Sequence, residues 1–239
     1  MDAAGGRGRA FIDLHSHTSA SFDSLASPRS VVRAAASRGL THLAITDHDR
    51  IDGALEAREI AAREALPLTI LVGQEIRTRD GDLIGVFLER PIPSGLDAFE
   101  AIEEVRAQGG LVGIPHPFDR FRGSLLGAGE VDGLAPLVDW VESHNARIMV
   151  GNGNQRAAEF ALEHELPGIA VSDAHSILEI GVAYVALDGD PSTAAGLLAA
   201  LPTAELVTGR ATVFVRAVTP IAKLVQRARG NGRIASGVP

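Results

Sequence analysis

At 239 residues, with 46% hydrophobic and 22% charged side chains, the chain has an ordinary globular composition and room for one large domain or two small ones. Its net charge of −8 argues against an extended nucleic-acid surface, which needs basic side chains to neutralise phosphates; bound cations can still reverse the field locally. There is no cysteine, hence no disulfide and no thiolate ligand, which suits a cytoplasmic protein, and no uninterrupted apolar run long enough for a membrane span.

Residues 1–9 lack an apolar signal core and read as a flexible arm. Phe11–Leu14 is the first apolar run and reads as a strand. Ser27 then caps a helix with Pro28 in its first turn, ending at Arg38 before Gly39. His42–Thr46 is strand-like, Gly53–Ala65 helical, and Thr69–Ile76 and Leu83–Leu88 are strands. Asp97 caps a helix reaching Gln108, and strands at Leu111–Pro115 and Leu137–Glu142 follow. Gln155–Glu165 is helical, Gly168–Ser172 and Val182–Leu187 are strands, and Ser192–Leu201 is helical. Ala211–Arg216 reads as a further strand, Pro220–Arg229 as the last helix, and the Gly-rich remainder as a tail. The alternation points to a parallel sheet covered by helices, closed as a barrel over residues 10–218, with 219–239 a terminal helix and tail.

The polar residues that end these strands carry the chemistry. His15-Ser16-His17 and Asp173-Ala174-His175 are pairs of metal-ligand types two apart, and residues i and i+2 of a strand point to one side. Between them come Asp23, the Thr46-Asp47-His48-Asp49 run, Gly73-Gln74-Glu75 and Pro115-His116-Pro117. Imidazoles and carboxylates converging from many strand ends suit zinc, iron or manganese, and two or three such ions can clamp a phosphoryl group. Asp13 has the strand phase of His15 and is expected to orient its imidazole. Asp47 and Asp49 read as turn residues and Trp140 as core. Arg120 and Arg122, in the irregular stretch Pro117–Gly133, are candidate phosphate ligands, as is Arg147, because a guanidinium grips phosphate bidentately.

In this order, the motifs resemble those of the polymerase and histidinol phosphatase (PHP) family of metal-dependent phosphoesterases, over roughly Phe11 to Leu187. The resemblance implies a distorted (β/α)7 TIM-like barrel with two or three divalent ions at its C-terminal face. It implies one ion on His15, His17, Glu75 and Asp173, a second on Glu75, His116 and one more ligand, and a third on Asp23, His48 and His175. Where many members carry a histidine on a strand reading Ile-Glu-Val-Tyr, this chain has Val141-Glu142-Ser143-His144-Asn145. Asn145 aligns with that position, and His144 lies one residue earlier, facing away on a regular strand. Either the strand bends and His144 binds, or Asn145 and water complete the second site. The implied activity is hydrolysis of a small phosphate monoester, with Glu75 beside the attacking water and His116, His175 or metal-bound water as the leaving-group acid. The alternatives are exonuclease-type cleavage of short oligonucleotides and a barrel that binds metal or phosphate without turnover.

Overall fold

The structure, a computed structural model, describes residues 8–119, 133–212 and 218–234. Its strands are β1 (Arg9–Asp13), β2 (His42–Ile45), β3 (Thr69–Arg77), β4 (Asp82–Val86), β5 (Leu111–Ile114), β6 (Trp140–Asn145), β7 (Gly168–Val171), β8 (Tyr184–Asp188) and β9 (Glu205–Val207). The helices are α1 (Pro28–Ser37), α2 (Asp52–Arg63), α3 (Ala98–Arg106), α4 (Gly153–Glu163), α5 (Ala194–Ala200) and α6 (Val218–Ala228).

Among the described residues the nine strands share one sheet in the order β7-β6-β5-β4-β3-β2-β1-β8-β9. Beyond the strand ends a parallel bridge between Ser16 and Ala174 brings the β1 and β7 sides together. The His17 N–H donates to the Ala174 carbonyl at 2.8 Å, and the Asp13 carboxylate accepts the Ser172 N–H at 3.1 Å and the Ser172 hydroxyl. The sheet is therefore nearly closed at its ligand-bearing end: β8 pairs antiparallel with β1 and β9 with β8, both approach β7, and Val185 and Leu187 of β8 join the core that fills the barrel.

The barrel is distorted, as expected, and its strands do not follow a regular βα repeat. β3 and β4 form a hairpin, so β4 runs antiparallel to both its neighbours. β6 continues to Asn145 instead of stopping at Glu142, and β9 is a strand the sequence pattern did not suggest. Of the strand expected at 211–216, residues 211 and 212 are not in a strand and the others lie outside the described residues.

Strand alternation sorts the apolar residues into two cores. Leu43, Ile45, Ile70 and Val72 face outward onto helix residues such as Val31, Ala57 and Ile60. Ala44 and Leu71, their immediate neighbours, join Ile12, Leu14, Ile84 and Trp140 in the second core, which fills the barrel. Trp140 fits because it faces Gly113, where an added Cβ would come within 2.1 Å of the indole.

The helices obey their end signals. Ser27 caps α1, accepting the Ser30 N–H at 3.2 Å, and Asp97 with Glu100 forms a capping box on α3. α6 is tied to the other end of the chain. The Gln226 amide reaches the carbonyls of Ser19, Ser21 and Ser24 at 2.7, 3.1 and 2.7 Å, and Asn231 reaches Ser19 and Ala20. No helix among the described residues is long and apolar enough to cross a membrane.

Candidate metal centre

The expected same-side pair forms at the end of β1. His15 and His17 present their Nε2 atoms 3.0 Å apart, with Ser16 between them held in the sheet by its bridge to Ala174. The second pair diverges. Asp173 sits in the left-handed region at φ 52°, which turns the chain out of the β7 direction. Asp173 Oδ1 therefore faces His15 and His17 at 3.7 and 3.6 Å, while His175 turns to Asp23, with Nε2 3.2 Å from Oδ2.

Glu75 stands at the centre. Its Oε2 lies 3.3 Å from His15 Nε2, His17 Nε2 and His48 Nδ1, and its Oε1 lies 3.1 Å from His116 Nε2. His48 spans two carboxylates, because its Nε2 is also 3.3 Å from Asp23. His15, His17, Asp23, Glu75, His116, Asp173 and His175 are each 6% exposed or less. His116, like Asp173, carries a positive φ (28°), so two of the convergent residues hold strained backbone.

These donors fit a divalent cation. Nitrogen and oxygen atoms bound about 2.1 Å from one ion lie about 3.0–3.4 Å apart, close to the separations around Glu75, His15 and His17. The electrostatics agree. Burial would raise the Glu75 carboxyl, yet His48 and His15 hold it well below its ordinary range. Asp23 is likewise held low against burial, by His175 and His48. Burial would depress the imidazoles, but Glu142, Asp173 and Glu75 push His15 well up, and Glu75 and Asp23 push His48 up to about 9. Buried carboxylates in this number call for positive charge, which protons on imidazoles supply in the absence of a cation. His175 goes the other way, to about 3, through burial and the nearby Arg147 charge.

Three candidates take other places. His144 is not brought to the cluster: it faces the opposite side of β6 and its Nε2 meets the Gly209 carbonyl at 2.8 Å. A register shift between Glu142 and His144 instead turns Asn145 inward, where its amide donates to Glu142 at 2.8 Å and to Asp173 at 3.0 Å. Arg147 is buried, its guanidinium on the Thr219 hydroxyl at 2.7 Å and near Glu179 at 3.6 Å, so it braces α6 and does not line an open phosphate site. Asp13 reaches the His15 backbone N–H at 3.4 Å and not its ring, with Ser172 and the Gly181 N–H as its other partners. Burial raises its carboxyl to about 6. Arg120 and Arg122 lie outside the described residues. Asp47 is a turn anchor, as read, holding the Thr18 N–H and hydroxyl at 2.6 Å each.

The group that orients His15 is Glu142, which sequence reasoning missed. Its Oε1 meets His15 Nδ1 at 2.6 Å, and its Oε2 accepts the His116 N–H and the Asn145 amide at 2.8 Å each. An acid next to Trp140 and Val141 in an apolar strand was the available signal, since such a carboxylate is rarely buried unpaired. With Nδ1–H committed to Glu142, His15 Nε2 is the nitrogen turned to Glu75 and His17, and it becomes a metal donor when a cation displaces its proton. Asp82 was also missed: it lies beside Glu75 and His116, with one donor atom from each of the three within 4.8 Å of the others.

The sequence profile described as PHP domain matches residues 13–125, and the one described as PHP-associated matches 151–205. An uncharacterized protein of Methanocaldococcus jannaschii is 34% identical over 177 residues, covering 73% of this chain and 69% of its own. The chain belongs to the PHP domain family of metal-dependent phosphoesterases. The PHP barrel is also the fold of a two-domain Bacteroides vulgatus protein described as containing a predicted PHP-like metal-dependent phosphoesterase. The two share a TM-score of 0.70 at 20% identity, over 86% of this chain and 66% of the other. A 5'-3' exoribonuclease of Haemophilus influenzae is 33% identical over 153 residues, covering 59% of this chain and 51% of the enzyme.

Proposed function

We propose that this PHP barrel hydrolyses a phosphate monoester of a small molecule, a nucleotide, nucleoside bisphosphate or sugar or amino-alcohol phosphate, using two or three divalent ions. The observation that carries the reading is the Glu75 carboxylate, buried with four imidazole nitrogens at 3.1–3.3 Å. His15, His17, Glu75 and Asp173 would hold one ion, Glu75 and His116 a second, and Asp23, His48 and His175 a third. Manganese, zinc or iron suits such a nitrogen and oxygen set. When bound, the ions supply Lewis-acid charge for the nonbridging oxygens and lower the pKa of water toward neutrality.

The protein's own part is positioning. Glu142 fixes the His15 tautomer, and the left-handed turn at Asp173 divides its loop between two donor groups. Glu75, shared between groups, keeps them close enough to face one phosphoryl group. His116 meets Glu75 at 3.1 Å and His175 meets Asp23 at 3.2 Å; because burial keeps His175 neutral, the proton for the departing oxygen would come from His116 or from water held by a bound ion.

The test is phosphate release from mononucleotides, nucleoside bisphosphates and histidinol phosphate with manganese added. Asp173→Asn removes a buried anion at nearly constant shape and is expected to abolish turnover with the fold intact; wild-type turnover in that variant at saturating metal would overturn the proposal. The exoribonuclease relatives support a second reading, stepwise cleavage of short oligonucleotides. Shortening of a 5'-phosphorylated RNA with no release from any monoester would favour it.

A further inference from the structure

The second donor group, taken as Glu75 and His116, is one ligand short. We infer that Asp82 supplies it, in place of the residue at 144 or 145. The inference rests on the metal-centre reading above.

Asn145 has no donor to offer. Its Nδ2 gives hydrogen bonds to Glu142 and Asp173, and its Oδ1 accepts the Arg147 N–H at 2.9 Å. The reverse amide orientation would set Oδ1 against two carboxylates and Nδ2 against an N–H. His144 faces away, on the Gly209 carbonyl. The strand that completes this site in other PHP proteins is therefore spent here on holding Glu142 and Asp173 in place.

Asp82 comes from the hairpin. Across it Glu75 pairs with Ile84 and Arg77 with Asp82, so Asp82 is the diagonal neighbour of Glu75 on the same face. Because β4 is antiparallel, its first residue lies at the end of the barrel where the parallel strands finish, among the other donors. Asp82 is 4% exposed, Glu75 2% and His116 0%, and among the described residues His116 Nδ1 has no hydrogen-bond partner. Two carboxylates buried side by side are unfavourable unless positive charge lies between them. Among the described residues the cation facing Asp82 in an ion pair is Arg233, whose Nη2 is 3.9 Å away and whose side chain is 42% exposed. That exceeds the 2.7–2.9 Å of a charge-assisted hydrogen bond, so Arg233 only partly offsets the buried charge.

The experiment measures manganese bound per chain, by elemental analysis after desalting and by calorimetric titration, for wild type, Asp82→Asn and Arg233→Ala, with circular dichroism as the fold check. Asp82→Asn is expected to bind one equivalent fewer, or to hold that equivalent at least tenfold more weakly. Arg233→Ala is expected to keep the full complement. Unchanged stoichiometry and affinity in Asp82→Asn overturns the inference. Loss of the same equivalent in Arg233→Ala also overturns it, because Asp82 would then act only as a partner of the arginine. A wild-type chain that takes up no manganese overturns the metal-centre reading and this inference together, whereas normal uptake with an indifferent Asp82→Asn overturns this inference alone.

Discussion

Glu142→Gln isolates the contribution of a group that contacts none of the proposed reaction chemistry. Both carboxylate oxygens face donors: His15 Nδ1 at 2.6 Å on one, and the His116 N–H and Asn145 amide at 2.8 Å on the other. Glutamine has one oxygen. If that oxygen keeps His116 and Asn145, its NH2 faces His15, which must present Nδ1 as an acceptor and carry its proton on Nε2. That tautomer has no lone pair to give at the nitrogen facing Glu75. If the oxygen keeps His15, the NH2 is set against two donors. Either way at least one charge-assisted bond is lost, about 1.5–3 kcal/mol. Loss of a partner that orients a ligand typically weakens metal affinity by about 10–100-fold, the same range in energy. Manganese titration by calorimetry reads this directly, and turnover at saturating manganese shows whether a loaded variant recovers. Affinity within twofold of wild type would refute the claim that Glu142 sets the His15 tautomer.

A pH effect is expected far from the centre. Burial holds His42 below its ordinary value of 6.5 against the opposing pull of Asp190, and the ring meets the Ser192 hydroxyl at 3.0 Å. The folded state thus favours the neutral form: its stabilisation is complete above pH 6.5 and is lost as the pH falls below it. Urea midpoints at pH 7.5 and 5.5 should drop further for wild type than for His42→Gln, and equal drops would count against this assignment. Gln226→Ala removes an amide that reaches three loop carbonyls and should lower stability by about 1–3 kcal/mol. It should also weaken manganese binding through Asp23; an unchanged unfolding midpoint with unchanged uptake would contradict that link.

The legible part of the site was the part written in short-range spacing. His15 with His17, and the terminal polar residues of β2, β3 and β5, follow from strand phase and from the placement of barrel sites at strand ends. What stayed hidden depends on pairing. Asp82 begins a strand, and the rule that reads strand ends passes over it; only the hairpin register brings it to Glu75. Asn145 enters the barrel and His144 faces away, as the phase of Asn145 suggests, but Glu142 enters too only because of an irregularity of one residue between Glu142 and His144, which spacing does not show. Asp13 and Glu142 are both acids at apolar strands, yet which of them meets the His15 ring is decided by where β6 crosses the barrel, a tertiary fact. Arg147 had the right chemistry for phosphate and the wrong neighbours, because α6 packs against it.

The amide that fastens Ser19 lies 207 residues downstream of it. At synthesis rates of about 5–20 residues per second, the loop bearing Asp23 waits roughly 10–40 s for that clasp. Through this interval the early histidines emerge with their aspartate partner unfastened. Assembly of this donor group thus waits until Gln226 has been made, and a nascent chain stalled before it would hold an incomplete version of the group.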